Sequence, residues 1–186
     1  MTVKIVFLLE EPSMKCYLDQ ILPRIIPSEI EFQTVRHRGK QDLRASLSRK
    51  LSNWREPDKI IRFVVVHDND NHDCMGLKRE LRQICDAICP GVLIRIPCQE
   101  LEAWYWGDLQ AVSEVMKKDV TSYARRRRYR NPDDIANPKA EIKKLFPEIR
   151  QQAHATAFGA HAHLEENTSR SFQCFIAGVR ELCENS

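Results

Sequence analysis

Hydrophobic positions along the chain form two alternating kinds of segment. Short, mostly apolar runs at residues 3–9 and 60–66, each with a single basic residue, are typical of strands buried on both faces. Apolar residues such as Met14, Tyr17, Leu18 and Ile21 instead recur at the spacing of one helix face. The whole pattern predicts four strands, at residues 3–9, 29–35, 60–66 and 92–96, with a helix between each pair. We therefore expect an α/β fold with a mostly parallel four-stranded sheet flanked by helices.

After Pro97 the pattern becomes helical. It predicts a short aromatic helix at residues 100–106, a second helix at 108–118 and a polar, arginine-rich connection at 123–137. Pro138 suits the first turn of a helix that runs to residue 146, and a phenylalanine-rich helix ends the chain. We predict an α/β core at residues 1–98 and a helical extension at 99–186, packed together as a single compact unit.

Composition narrows the class of protein. A chain of 186 residues with 42% hydrophobic and 30% charged residues suits one globular domain. Its longest apolar runs fall far short of the roughly 20 residues of a membrane-spanning helix, and no secretory signal pattern is present. Seven cysteines without a CxxC pair suit reduced thiols. We expect a cytoplasmic protein that does not contact a membrane.

Charge is unevenly distributed along the chain. The formal net charge is only +3, but residues 60–110 carry eight acids and five bases, whereas residues 117–150 carry eleven bases and five acids. An acidic centre followed by a basic segment is typical of a metal-binding pocket beside a phosphate-binding surface, although it also arises by chance.

Acidic residues follow two of the predicted strands. Glu10 comes after the first strand, and a polar segment at residues 67–73, which contains Asp68 and Asp70, comes after the third. Ligands of open parallel sheets bind beyond the carboxyl ends of the strands. Carboxylates at a DxD spacing can point the same way from an extended segment and bind Mg²⁺ or Mn²⁺. The alternative is that these side chains only form a turn and cap the next helix.

Five segments, taken in order, resemble the bacterial domain-of-unknown-function family 4276. They are Leu9-Glu10-Glu11-Pro12-Ser13, Val66-His67-Asp68-Asn69-Asp70, Glu100-Leu101-Glu102-Ala103-Trp104, Asn137-Pro138-Lys139 and Asn167-Thr168-Ser169-Arg170-Ser171-Phe172. The order of strands, helices and acids also resembles the Toprim domain of topoisomerases, primases and overcoming-lysogenization-defect nucleases. The resemblance spans nearly the whole chain and implies a Toprim-like, Rossmann-like fold.

The resemblance also implies roles for the acids. Glu10 would be the Toprim glutamate, a metal ligand or general base, and Asp68 and Asp70 would bind one or two Mg²⁺ or Mn²⁺ ions. Glu102 would be a further catalytic acid. Glu100 lies about 200° from Glu102 around a helix, so we expect only Glu102 to face the site.

The first loop departs from the family pattern. The family usually has Gly where Glu11 stands and a second Glu near Met14. A glycine would allow a phosphate to approach this backbone closely. Glu11 has a side chain at this position, so the departure counts against close phosphate binding here and against activity.

Basic residues provide a second candidate site. Arg125, Arg126, Arg127, Arg128 and Arg130 could bind a nucleic-acid backbone, with Tyr129 stacking on a base. A solvated loop or a docking patch for an acidic protein is an equal alternative. Lys139 could bring a cation to the scissile phosphate, although a surface lysine is the commoner role at a helix start.

The function implied by the resemblance is a metal-dependent nuclease that hydrolyses DNA or RNA. Members of the family resemble effectors of bacterial anti-phage systems whose neighbouring gene encodes an ABC or SMC-like ATPase. This sequence has no GxxxxGK[ST] phosphate loop, so we expect any ATP use to belong to the partner. The main alternative is a non-catalytic Toprim-fold subunit that docks the ATPase or nucleic acid. A phosphohydrolase or a receiver-like domain is a more remote alternative. The sequence does not determine the oligomeric state, and a homo-oligomer is possible.

Overall fold

The computed structural model describes residues 2–70 and 73–185, so that Met1, Asn71, His72 and Ser186 lie outside the described residues. The strands are β1 (Thr2–Leu9), β2 (Glu31–Arg36), β3 (Lys59–Val66) and β4 (Leu93–Arg95). The α-helices are α1 (Pro12–Ile21), α2 (Lys40–Asn53), α3 (Cys74–Asp86), α4 (Glu102–Trp106), α5 (Leu109–Met116), α6 (Pro138–Leu145), α7 (Gln151–His161) and α8 (Arg170–Glu184).

The four strands form one sheet in the order β2-β1-β3-β4, and every neighbouring pair is parallel. This confirms the predicted α/β fold with a parallel four-stranded sheet flanked by helices. β1 lies between β2 and β3, which explains its continuous apolar run at residues 5–9, where both faces of the strand are covered. Leu9 at its end lies opposite Arg36 of β2 and Val66 of β3.

Two apolar cores cover the two faces of the sheet. Ile5 and Phe7 of β1 face the core built with α1 and the helices of the second half of the chain. Val6 and Leu8 face the other core, built with α2 and α3. This alternation follows from the strand geometry, in which successive side chains point to opposite faces.

Aromatic residues join the second half of the chain to the sheet. The Trp104 ring of α4 packs against Phe172 and Phe175 of α8, with centroids 5.2 and 5.3 Å apart, and lies 6.0 Å from Tyr17 of α1.

In the described part of the chain, no helix is both long and apolar enough to cross a bilayer.

Helix α7 is an element that the sequence pattern did not predict. Its apolar residues are mostly alanines, so it shows no stripe of large side chains. The helix forms because it packs closely on α1, where a Cβ atom added at Gly159 would lie only 2.6 Å from the Tyr17 carbonyl oxygen. Tertiary packing therefore determines this helix.

Candidate active site

Glu10 and Asp68 follow two neighbouring strands at the carboxyl edge of the sheet. The connection from β1 leads to β2 on one side and that from β3 leads to β4 on the other, so that the chain diverges between β1 and β3. Open α/β sheets bind ligands outside such a switch point. Leu9 and Val66 lie opposite each other there, and they lead directly into Glu10 and the His67-Asp68 pair.

Glu10 fixes the loop that follows β3. Its Oε2 atom accepts a hydrogen bond from the backbone N–H of Asp68 at 3.0 Å and lies 3.0 Å from His67 Nδ1. Arg44 Nε donates to His67 Nε2 at 3.3 Å. Because arginine only donates, the imidazole proton lies on Nδ1. Nδ1 therefore donates toward Glu10 and toward the Asp68 carbonyl oxygen, which is 2.6 Å away.

Asp68 is a buried acid with one unpartnered oxygen. Its side chain is 7% exposed; Oδ2 accepts a long hydrogen bond from the Leu101 N–H at 3.4 Å. Within the described residues, Oδ1 has no hydrogen-bond partner. Burial raises the pKa of Asp68 well above its ordinary value, and the negative charges of Glu11, Glu10 and Glu102 raise it further. Such a carboxyl group requires either a proton or a cation.

The loop carrying Asp70 makes a sharp turn rather than the extended segment that the sequence favoured. Asp70 and Gln99 adopt left-handed backbone conformations, with φ angles of 47° and 66°. The Asp70 N–H donates to the Gln99 carbonyl at 3.0 Å, and the Gln99 N–H donates to Asn69 Oδ1. These contacts hold two strained residues against each other, as is common at functional sites.

Asp68 and Asp70 nevertheless line the same cleft, of about 600 Å³, which we call the switch-point cleft. Helix α2 contributes Lys40 and Arg44 to its wall. Lys40 Nζ lies 3.2 Å from Asp70 Oδ2, and Arg44 contacts His67 as described above. Two cations beside two carboxylates provide groups for both a phosphate and a metal ion.

Glu102 lies beside Asp68 but does not line the switch-point cleft. Helix α4 begins at Glu102, so Glu100 precedes the helix and its carboxylate accepts the Lys139 backbone N–H at 3.2 Å. Glu102 is 4% exposed, and its Oε2 atom has no partner in the part of the chain that the structure describes. Burial raises the pKa of Glu102 to about 7, against an opposing effect of Lys139.

Lys139 is half-buried and acts on the acids electrostatically. The indole N–H of Trp106 donates to the Pro138 carbonyl at 3.0 Å, which fixes the start of α6 against α4. Burial lowers the pKa of Lys139, but the charges of Glu102 and Glu11 outweigh this effect, so the pKa rises. Lys139 is therefore a site-facing ammonium group instead of the solvent-facing lysine that is commoner at a helix start.

Glu11 is anchored locally. The Ser13 hydroxyl donates to its carboxylate, and both residues flank Pro12 at the start of α1. The charge of Glu11 raises the pKa values of both Asp68 and Glu102. This loop therefore adds a negative charge to the site.

The arginine run lies on the surface. All five of its arginines are exposed: Arg125, Arg126, Arg127, Arg128 and Arg130. Arg128 pairs with Glu141 at 2.8 Å. Tyr129 stacks on Trp106, with ring centroids 4.4 Å apart and planes 2° apart, and donates to Glu141 Oε2 at 2.7 Å. One face of Tyr129 is thus covered by Trp106, so base stacking by Tyr129 would have to use its other face.

The donors suit a hard divalent cation by chemical type, since they are carboxylates and Asp68 Oδ1 is unpartnered. Their placement is looser: within residues 2–70 and 73–185, no three Asp, Glu, His or Cys side chains form a group that could hold an ion. Glu10, Asp68 and Asp70 thus supply carboxylate oxygens, the ligand type that Mg²⁺ and Mn²⁺ prefer, but among the described residues they do not form such a group.

The segment at residues 167–172 supports the site structurally. Asn167 is fully buried; its Nδ2 donates to the Trp104 carbonyl and its Oδ1 accepts the Ser169 N–H, both at 2.9 Å. Ser169 caps α8 by accepting the Phe172 N–H at 3.2 Å. A Cβ atom at Gly107 would lie 2.1 Å from Asn167 Oδ1, so only glycine fits there.

Sequence reasoning missed the basic partners of the acids. Lys40 and Arg44 lie four residues apart at the start of α2, so they share one helix face. The helix begins after β2 has ended at the carboxyl edge of the sheet. This position at a helix start directly after β2 is the sequence signal that could have identified the two residues.

Comparison with known families gives the classification of the chain. A family described as a domain of unknown function (DUF4276) matches residues 9–180, which is nearly the whole chain. Searches of curated proteins and of solved structures found no match. The chain therefore belongs to the DUF4276 family.

Proposed function

We propose that this chain is a Toprim-like, metal-dependent nuclease that hydrolyses DNA or RNA phosphodiesters. The supporting observation is the buried Asp68, which has an unpartnered oxygen at the sheet's switch point and lies among other carboxylates. Such a group gains most from a cation. Bound Mg²⁺ or Mn²⁺ supplies Lewis-acid chemistry, neutralising charge on the phosphodiester and activating water.

The proposed roles follow from the positions of the side chains. Glu10, Asp68 and Asp70 hold the metal, and Glu10 also fixes the β3 loop. Glu102 is the further acid, because a carboxyl group with a pKa of about 7 can both donate and accept a proton near neutral pH. Lys139 provides positive charge beside it.

We propose further that the chain is the effector of a bacterial anti-phage system controlled by an ABC or SMC-like ATPase. The five family-like segments support this assignment, and the absence of a phosphate-loop motif in the sequence is consistent with a separate ATPase. The exposed run at residues 125–130 offers a surface for nucleic acid.

A second candidate function is a non-catalytic Toprim-fold subunit that docks an ATPase or nucleic acid. Glu11, which replaces the usual glycine, favours it, because the extra carboxylate repels an approaching phosphate.

The experiment that separates the two functions is a cleavage assay. Purified protein, alone and with the ATPase of a neighbouring gene, is incubated with plasmid DNA and total RNA in Mg²⁺, Mn²⁺ or EDTA. Glu10→Gln and Asp68→Asn variants are compared with Glu148→Gln, which changes an exposed acid of the α6–α7 connection.

The nuclease proposal predicts cleavage that needs the metal, is lost in Glu10→Gln and Asp68→Asn, and persists in Glu148→Gln. Folded wild type that binds nucleic acid or the ATPase but cuts neither substrate under any condition would favour the docking subunit. Cleavage that survives in Asp68→Asn would place the activity outside this site.

A further inference from the structure

A buried histidine connects an acid of the switch point to an arginine on the wall of the switch-point cleft. His67 is 2% exposed. Its Nδ1 atom lies 3.0 Å from Glu10 Oε2, and its Nε2 atom accepts a hydrogen bond from Arg44 Nε at 3.3 Å. The three side chains therefore form one hydrogen-bonded row that runs from the end of β1, past the end of β3, to α2.

This row leaves Arg44 positively charged. A histidine that donates through Nδ1 and accepts through Nε2 is neutral, so it holds the guanidinium group without cancelling its charge. A carboxylate in the same place would cancel it. Glu80 Oε2 does lie 3.5 Å from Arg44 Nη1, but the Glu80 side chain is 63% exposed, and exposed ion pairs contribute little. Arg44 therefore remains able to attract an anion.

The contact with His67 also prepares Arg44 for a particular kind of anion. His67 accepts from Nε only, which leaves the two terminal nitrogens for a ligand. Arginine binds phosphate through pairs of N–H groups in a planar, bidentate arrangement. A side chain that is held before the ligand arrives loses less conformational entropy on binding. Arg44 thus suits a phosphate in the cleft.

Lys40 supplies a second positive charge to the same wall. It lies four residues before Arg44, about 6 Å along the helix axis, and both side chains line the cleft. Lys40 Nζ lies 3.2 Å from Asp70 Oδ2, and both of these side chains are more than a third exposed. The wall formed by α2 therefore offers an anion one fixed guanidinium group and one flexible ammonium group.

The acids of the cleft restrict the kind of phosphate. The carboxyl groups of Asp68, Asp70 and Asp73 line the cleft together with the two cations. A phosphodiester carries one negative charge, whereas a phosphate monoester carries about −1.5 to −2 at neutral pH. The monoester is therefore repelled more strongly by the carboxylates. This favours a phosphate within a strand over one at its end.

We propose that Arg44 binds an internal phosphodiester of the substrate strand in the switch-point cleft, and that His67 is the positioning residue that holds Arg44 in place. The inference rests on the proposed nuclease function, and it names the group that recognises the substrate beside the acids. A contact to phosphate fixes the position of the strand without selecting its bases.

The test is fluorescence anisotropy of the full chain with single-stranded DNA and RNA decamers, with and without a 5′-phosphate, in EDTA to prevent metal-dependent cleavage. Arg44→Ala removes the guanidinium group, and His67→Ala removes its support. His67→Gln keeps a donor and an acceptor on one side chain. Arg49→Ala is the charge-matched control, since this exposed residue of α2 does not line the cleft. Circular dichroism checks that each variant is folded.

We expect Arg44→Ala to weaken binding about tenfold and to reduce the slope of log affinity against log salt by about 0.7, and Arg49→Ala to have less than about a twofold effect. His67→Ala should weaken binding about fivefold and His67→Gln less than about twofold. The double variant of Arg44 and His67 should bind no more weakly than Arg44→Ala alone, because the histidine acts through the arginine. Glu80→Gln, which removes a competing carboxylate, should strengthen binding about twofold.

Three results would overturn the proposal. Equal losses in Arg44→Ala and Arg49→Ala, or a folded wild type that binds neither decamer, would remove the phosphate site. Losses from Arg44→Ala and His67→Ala that multiply in the double variant would remove the positioning role of His67. Tighter binding of the 5′-phosphorylated decamers that depends on Arg44 would assign the site to a chain end instead of an internal phosphodiester.

The same experiment separates this inference from the nuclease proposal. Arg44-dependent binding by a protein that cuts nothing would support the phosphate site and count against the nuclease. Metal-dependent cleavage by a protein whose binding does not depend on Arg44 would support the nuclease and overturn the phosphate site.

Discussion

The backbone N–H of Asp68 donates a hydrogen bond to the carboxylate of Glu10 at 3.0 Å, across 58 positions of sequence. This contact joins the ends of β1 and β3 at the switch point. Glu10 holds the backbone of Asp68 and not its side chain, and within the described residues Asp68 Oδ1 has no hydrogen-bond partner. The contact therefore fixes the loop that carries the acid without occupying its carboxyl oxygens.

Replacing Asp68 with Asn is expected to stabilise the metal-free protein at pH 8. The pKa of Asp68 is raised in the folded state, so its contribution to stability is complete below its unfolded pKa and is lost as pH rises through the folded value. Asn carries no charge and avoids that loss. Thermal unfolding in EDTA should show a midpoint at least about 2 °C above that of the wild type, whereas Glu148→Gln should not change it. A lower midpoint for Asp68→Asn would show that the acid is not under charge repulsion.

Glu102 is expected to make stability decrease with pH. Its pKa rises from 4.5 to about 7 on folding, so the protonated form is favoured and its stabilisation declines as pH rises from about 4.5 through 7. Urea unfolding at pH 5 and pH 8 should therefore show Glu102→Gln gaining up to about 3 kcal/mol relative to wild type at the higher pH. Lys139→Gln should move the midpoint of this pH dependence upward, because Lys139 lowers the pKa of Glu102. Parallel stability curves for wild type and Glu102→Gln would contradict the assignment.

Asn167→Ala is expected to destabilise the protein by about 2–4 kcal/mol, because it leaves the Trp104 carbonyl and the Ser169 N–H unpartnered in a buried region. Urea unfolding followed by circular dichroism measures the loss. Thr168→Ala is the neighbouring control, since Thr168 is exposed and its hydroxyl donates a longer hydrogen bond, of 3.2 Å, to the Gly107 carbonyl. Equal losses in the two variants would show that Asn167 has no special structural role.

The arginine run is expected to contribute to nucleic-acid affinity through phosphate contacts. Arg125→Ala combined with Arg127→Ala should weaken binding to single strands of different sequence alike, and should reduce the slope of log affinity against log salt by about 1.4. Fluorescence anisotropy in EDTA measures the slope. The control variant changes Arg49 and Arg62 in the same way, which removes the same charge from exposed positions elsewhere. An equal loss of affinity and of salt slope in this control would show that binding depends only on net charge.

Local sequence patterns were sufficient to predict the strands of the sheet and the acids that follow β1 and β3. The second halves of β1 and β3 are continuously apolar because both of their faces are buried, so these strands and the acids that follow them could be inferred from sequence. Helix α7 could not be, because close packing of small residues against α1 leaves no periodic signature.

The environment of each site residue also required the fold. Whether Glu102 is buried depends on where α4 begins, and α4 begins at Glu102 itself. Whether the charge of Lys139 acts on Glu102 depends on α6 lying beside α4, which no single segment encodes.

The most direct test of the central claim is a Mn²⁺ titration of purified protein followed by electron paramagnetic resonance, with cleavage measured on the same samples. The account predicts saturable binding and metal-dependent cleavage by wild type and Glu148→Gln, and loss of both in Asp68→Asn. Saturable binding and cleavage that persist in a folded Asp68→Asn protein would contradict a metal centre at the junction of β1 and β3.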